Sequence, residues 1–205
     1  MRPLVLLSVF SLFVLTACSS DAQEDHDAEH NETHEHAEHA SSEHPHHPMR
    51  GNDEPRVSPN AAVMQTIGTT NVVITYGRPS VNDREIFGGL VPYNEVWRTG
   101  ANEATTITFS DNVTVEGQPL DAGTYGLFTI PTESTWTIIF NATAEQWGAF
   151  NYDASQDVLR VEVEPTHEFH IEQMGFWFDN VTTTSATAVL GWADVMVGFD
   201  IEVVE

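Results

Sequence analysis

Lysine is absent from this chain. Its seven basic residues are all arginine and face 31 acidic ones, for a formal net charge of −24. A phosphate backbone would be repelled by that charge, so nucleic acid is not an expected partner, and neither is a bare anionic lipid surface. Cysteine occurs once, at position 18. The chain therefore holds no internal disulfide, and its stability has to come from burial. Long apolar runs are equally scarce. The one candidate, Leu4 to Leu15, is too short to span a bilayer as a helix. The acidity itself speaks to solubility rather than to fold.

What is present begins with Arg2 and that apolar stretch, broken only by Ser8 and Ser11 and ending in Leu15-Thr16-Ala17-Cys18. A short basic start, an apolar region of this length and small residues before a cut are features of a signal peptide. A cysteine directly after the cut is the residue that bacterial lipoprotein processing acylates, and these four residues resemble a lipobox. The expectation is a signal peptide over residues 1–17 and a lipid anchor on Cys18 that holds the chain to a membrane. Two or more acyl chains are what stable anchoring needs. Serine at position 19, rather than aspartate, favours the outer membrane of a cell envelope. The plainer alternative is an ordinary signal peptide followed by an incidental cysteine.

Residues 18–55 show no hydrophobic period. They are mostly Ala, Ser, Glu, Asp and His, with Pro45, Pro48 and Pro55 near the end. Such a composition cannot bury enough apolar surface to offset chain entropy, so a disordered tether is expected. Its histidines are the first chemical signal: His26, His30, His34 and His36, then His39, His44, His46 and His47. Neutral imidazole is a ligand for zinc, copper(II) and nickel(II), and the interleaved carboxylates Glu29, Glu32, Glu35, Glu38 and Glu43 add oxygen donors. His26, His30 and His34 would share one face of a metal-induced helix. Biased tracts of this kind also serve as solvated spacers that bind metal incidentally. A tether that responds to pH near neutrality is a third reading.

From about residue 56 the period changes to two. Val72, Ile74 and Tyr76 alternate with smaller or polar residues, as do Ile107 and Phe109, and Trp136, Ile138 and Phe140. Leu159, Val161 and Val163 face away from Arg160, Glu162 and Glu164, and Val195 to Val203 is the cleanest run. Each pattern marks a strand with one buried face. Turn signals at Gly117, Gly123, Pro131 and Pro165 separate the runs. Residues 56–205 are thus expected to form an all-β domain of about eight to ten mainly antiparallel strands, a β-sandwich or jelly roll. One short helical turn is expected at Ala144 to Trp147.

The segment from Tyr76 to Thr105 breaks this pattern. It carries Arg78, Arg84 and Arg98, three of the domain's five arginines, with Phe87, Tyr93 and Trp97 among glycines and prolines. A connection this long without strands is usually functional or disordered, and its aromatic residues argue for an ordered loop packed on the sandwich. The chain here resembles a bacterial family known as domain of unknown function 2911. The resemblance rests on Val57-Ser58-Pro59, Tyr76-Gly77-Arg78-Pro79, Ile86-Phe87-Gly88, Leu90-Val91-Pro92-Tyr93 and Val96 to Thr105. It continues in Ala122 to Tyr125, Phe140-Asn141, Gln146-Trp147-Gly148 and Asp157 to Arg160. It covers the whole domain. One departure is Asn82-Asp83 before Arg84, where a basic residue and glycine are more usual. The resemblance implies an exported β domain and brings no activity, so no catalytic residue follows from it.

Three readings of the loop stand side by side. In the first it binds a small molecule, a glycan or a protein ligand. Arg84 and Arg98 offer forked donors to carboxylate or phosphate, Tyr93, Trp97 and Trp147 offer flat faces, and Asn102, Glu103, Tyr125 and Asn141 complete the polar set. In the second it is a glycan hydrolase of the envelope, with Glu95 and Glu103 as acid and base. No nucleophile elbow or HExxH accompanies them. His167 and His170, spaced three apart in a strand region, fall on opposite faces and do not suggest a shared metal. In the third it is purely structural: Arg84, Arg98 and Arg160 pair with Asp83, Glu95, Glu103 or Asp157, and Trp97 and Trp147 plug the core. The metal reading belongs to the tether alone. Deleting residues 19–50 should therefore remove most zinc, copper or nickel uptake from the mature chain while the domain stays folded. Native mass spectrometry reads this directly, and equal uptake without the tract would sink the metal reading.

Overall fold

The structure, a computed structural model, describes residues 55–204. The expected signal peptide, Cys18 and the histidine tract lie outside the described residues. Among the described residues there are ten strands and one 3-10 turn, Ala154–Gln156, with no α-helix. The strands are β1 (Asn60–Ile67), β2 (Thr70–Gly77), β3 (Thr105–Phe109), β4 (Val113–Val115) and β5 (Gln118–Leu120), then β6 (Gly123–Ile130), β7 (Trp136–Asn141), β8 (Asp157–Val163), β9 (Thr166–Asp179) and β10 (Ser185–Val203). They form two antiparallel sheets. The larger runs β1-β2-β3-β6-β7-β8 and the smaller runs β5-β4-β10-β9. This is the all-β, two-sheet architecture that the alternation implies.

The core lies between the sheets, and the period-two pattern says which residues fill it. Ile107 and Phe109 of β3, Leu127 of β6 and Ile138 and Phe140 of β7 point in from the larger sheet, all nearly without exposure. Met174 and Phe176 of β9 and Leu190, Val197, Phe199 and Ile201 of β10 meet them from the smaller one. Phe199 sets its ring edge-on to Phe140 at 5.8 Å, one of the contacts that fix the inter-sheet spacing. Val195 to Val203, the cleanest alternation, proves to be only the second half of a strand of 19 residues. Its first half escapes a period-two reading because Ala186, Ala188, Val189 and Leu190 are buried nearly in succession.

A second, smaller apolar layer covers the outer face of the larger sheet. Ala104, Phe128 and Ile139 are fully buried there, with Val96, Ile130, Ala149 and Tyr152 packed against them. The connection from β7 to β8 provides this cover. The helical turn expected at Ala144 to Trp147 is absent from it. Gln146–Gly148 instead lies extended against Asn102–Ala104: the Ala104 N–H donates to the Gln146 carbonyl at 2.9 Å and the Gly148 N–H to the Asn102 carbonyl at 3.0 Å. A backbone ladder to a distant segment outweighs the weak local helical preference of four residues.

One polar knot holds this cover down. Asn141 is wholly buried, and its amide nitrogen donates to the Asp153 carbonyl at 3.0 Å and to Asp157 Oδ1 at 2.7 Å. Its Oδ1 accepts from the Thr143 N–H at 2.9 Å. The other Asp157 oxygen accepts from the Tyr152 hydroxyl at 2.6 Å and from Arg160 Nε at 2.8 Å. Burial pushes the Tyr152 phenol up to about 12, and the hydrogen bond and charge of Asp157 add to this against the opposing pull of Arg160. In the unfolded chain the phenol ionises near 10. The folded state therefore keeps a proton that the unfolded state loses, so stability is complete below about pH 10 and falls as pH rises towards 12. Tyr152→Phe should flatten that alkaline fall. Urea midpoints measured between about pH 8 and 11 would read it, and an unchanged slope would remove Tyr152 from the account.

Candidate functional site

The long connection from β2 to β3 is ordered throughout and closes one end of the sandwich. Its first residues bridge the two sheets. Ser80 pairs with Gln173, the Val81 N–H donates to the Glu172 carbonyl at 2.8 Å, and the Met174 N–H donates to the Pro79 carbonyl at 2.9 Å. The chain thus leaves β2 in one sheet and extends the edge of β9 in the other. Tyr76 and Phe176 seal the same seam, with rings at 5.0 Å and the Phe176 N–H donating to the Tyr76 hydroxyl.

The end of the connection returns to the larger sheet before β3 begins. Trp97 and Thr129 exchange both backbone hydrogen bonds, at 2.8 and 2.9 Å. Thr105 pairs with Leu127, two residues along β6. Trp97 therefore occupies the place in the ladder that residue 103 would take if β3 ran on. Residues 98–104 leave the sheet between these two points as a closed loop, its neck tied by the Thr105 N–H to the Arg98 carbonyl at 3.1 Å and by Thr105 Oγ1 to the Thr99 carbonyl at 2.7 Å. The loop is strained and tightly seated. Thr99 is buried and β-branched yet has a φ of +56°, a conformation that costs roughly 1–3 kcal/mol. Gly77 lies directly beneath: a Cβ there would come within 2.0 Å of the Ala101 carbonyl oxygen, so only glycine fits.

Four aromatic rings anchor the assembly. Trp97 stacks on Trp192 of β10 at 5.9 Å and 18°. Phe87 stands edge-on to Trp97, Trp136 and Trp192 at 5.9, 4.9 and 6.1 Å. Each such contact contributes about 0.5–1.5 kcal/mol beyond the area it buries.

A cleft of about 330 Å³ opens beside these rings. Arg84, Trp97, Arg98 and Asn102 all line it, together with Val57, Ser58, Leu90, Val91 and Trp192, and no carboxylate does. Its two arginines behave differently. Arg84 donates through Nε to the Val81 carbonyl at 2.9 Å and through an Nη to the Ser80 carbonyl at 2.6 Å. It shapes its own turn and brings a charge with no acidic partner among the described residues. Arg98 is half-buried, and its Nε is sealed from solvent with no acceptor among the described residues. Burial holds the Arg98 guanidinium below its ordinary value; at neutral pH it remains charged. Trp192 Nε1 is a second buried donor without an acceptor. Both residues line the cleft, with these two nitrogen atoms buried behind its surface.

Other expected site residues lie elsewhere. Glu103 spends both carboxylate oxygens on Arg56, at 2.7 and 3.0 Å, and is not among the residues lining this cleft. Glu95, its expected partner in catalysis, lines a neighbouring cleft instead. Tyr125 sits in the core with its hydroxyl on the Asp121 carbonyl at 2.8 Å, and Asn141 belongs to the buried knot described above. Tyr93 packs its ring against Gly88. Trp147 is about half exposed and joins the loop through its backbone pairing to Glu103. Of the expected ion pairs, Arg160 with Asp157 is present, while Glu103 takes Arg56 instead of a loop arginine. Asn102 keeps a structural duty as well, donating to the Ser58 carbonyl at 3.0 Å. Trp192 was not among the expected site residues; nothing in its strand-like surroundings marks it. No group of metal-ligating side chains occurs among the described residues.

A family model described as protein of unknown function (DUF2911) matches residues 58–201. No curated protein and no solved structure matches the chain. The matched span holds the long connection, both arginines of the cleft and nearly all of both sheets, and the chain belongs to the DUF2911 family.

Proposed function

We propose that this protein is a binding protein of the cell envelope, lipid-anchored through Cys18, whose β-sandwich takes a small anionic molecule in the cleft beside Arg98. The observation that carries the reading is the Arg98 side chain, half-buried, charged and without an acceptor among the described residues. Desolvating a guanidinium without pairing it costs free energy, and a planar fork of donors suits carboxylate or phosphate. The charge of Arg84 supports the same sign of ligand. The cleft is of the size that small-molecule sites have, at the lower end of roughly 300–1,000 Å³. In a chain of net charge −24, a cleft lined by two arginines and no acid is a local inversion of sign. The expected hydrolase has less support, because Glu103 is held by Arg56 through both carboxylate oxygens while Glu95 lines the neighbouring cleft. The histidine tract adds metal capture on the tether as a separate activity, and the lipobox adds the anchor.

The anchor is tested by fractionating the envelope: wild type should take up labelled palmitate and stay with membranes, and Cys18→Ser should do neither. Membrane retention of the serine variant would overturn the lipid anchor. The cleft is tested by Arg98→Met, which replaces the unpaired charge by an apolar chain of similar length. Stability should hold or rise, because an unsatisfied buried donor is removed. Calorimetric titration with small carboxylates and phosphate should lose its binding heat at the same time. Loss of stability by about 2 kcal/mol or more would assign Arg98 a pinning role instead.

A further inference from the structure

A second cleft, also of about 330 Å³, adjoins the first at Arg98. The two clefts share Leu90, Val91, Trp97 and Arg98 as their common wall. Their chemistry is opposite. The first presents the arginines, Ser80, Asn82 and Asn102. The second is apolar apart from Arg98 and one carboxylate, with Pro92, Val96, Ala149 and Phe150 added to the shared residues. Phe150 is 84 % exposed and Leu90 is 50 % exposed. Large apolar side chains held open at the rim of a cleft are the usual mark of a surface that meets something apolar. The carboxylate is Glu95, which repels a second negative charge at this end.

Resting on the Arg98 reading above, we infer that the ligand is a small carboxylic acid with a single anionic head and an apolar arm. Its carboxylate pairs with Arg98 in the polar cleft, and its arm crosses the Leu90–Val91 wall and lies against Phe150. The arrangement disfavours two other classes. A sugar acid would set several hydroxyls in a cleft that offers them little beyond Glu95, and a dicarboxylate would place its second charge beside that residue. Phe150 is the specificity-determining side chain. Its exposure means that Phe150→Ala removes the contact for the arm without emptying the core.

The test is calorimetric titration of the full mature chain with acetate, octanoate and octanol, and with inorganic phosphate as a head without an arm. Octanoate should bind about tenfold or more tighter than acetate, from burial of its arm, and octanol should not bind measurably. Phe150→Ala should weaken octanoate by about tenfold and leave acetate unchanged. Arg98→Met should remove both acids. Equal affinities for acetate and octanoate, unaffected by Phe150→Ala, would overturn the apolar arm and leave the Arg98 cleft standing, as would binding of phosphate alone. Octanol binding as tightly as octanoate would overturn the anion reading and the acid proposed on it, leaving only an apolar contact, and no binding of any probe would overturn the arm and the anion reading together.

Discussion

Trp97 is the fixed point on which the functional end of this molecule depends. Its backbone takes a place in the larger sheet by exchanging two hydrogen bonds with Thr129, while its ring stacks on Trp192 of the other sheet. Main chain and side chain thus belong to different layers, and the residue joins them. Everything after it follows from that double commitment. The next seven residues have to leave the sheet and return at Thr105, which closes them into a small loop and forces Thr99 to a left-handed conformation. Arg98 is the first residue out of the ladder, and its side chain is half-buried in the lining of the cleft. A strained loop of this kind persists only where its surroundings over-determine it, and here the surroundings are Gly77 below, Arg56 to one side and the Gln146–Gly148 strip to the other.

The strands were legible because burial on one face of a sheet imposes alternation, which β8 displays cleanly from Leu159 to Val163, while in β7 the outward-facing Ile139 is buried as well. The ordered state of the long connection was legible too, from Phe87, Tyr93 and Trp97. What alternation does not carry is which end of a strand a residue occupies in space. Tyr125 was expected beside Trp97, yet its hydroxyl ties to the turn at Asp121, well along β6 from the Thr129 that pairs with Trp97. Asn141 looked like a ligand-binding amide because its type is polar. Its location at a register shift at the end of β7 makes it a buried bracket for the following loop. The Arg56–Glu103 pair spans 47 positions, and no local pattern announces a partnership at that distance. Trp192 reads as one more apolar residue of a strand, and its orphaned N–H becomes visible only when its neighbours are known.

The charge balance of the chain gives the cleft its meaning. Of the five arginines among the described residues, Arg56 and Arg160 are neutralised by Glu103 and Asp157. Arg78 and Arg84 are committed to carbonyl oxygens, and Arg98 is left uncommitted. With so much negative charge available, Arg98 makes no ion pair among the described residues, and Glu95 lines the neighbouring cleft and not the polar one. Ser80, Asn82 and Asn102 occupy the wall instead. Long-range repulsion from the rest of the chain works against crowded anions, so the cleft favours ligands that carry little charge and gain their affinity at short range.

The bidentate Arg56–Glu103 contact also has a mechanical meaning. Arg56 is the second described residue, at the point where the chain enters the domain, and Glu103 lies five residues from Arg98 in the same closed loop. A pull applied to the chain ahead of the sandwich would shear this ion pair before it reached any strand. The load would then pass through the backbone of the loop to its neck at Arg98 and Thr105. The junction is in effect a lever with Arg98 at its far end. A domain held at one end by its leading segment would thus couple tension in that segment to the shape of the cleft beside Arg98.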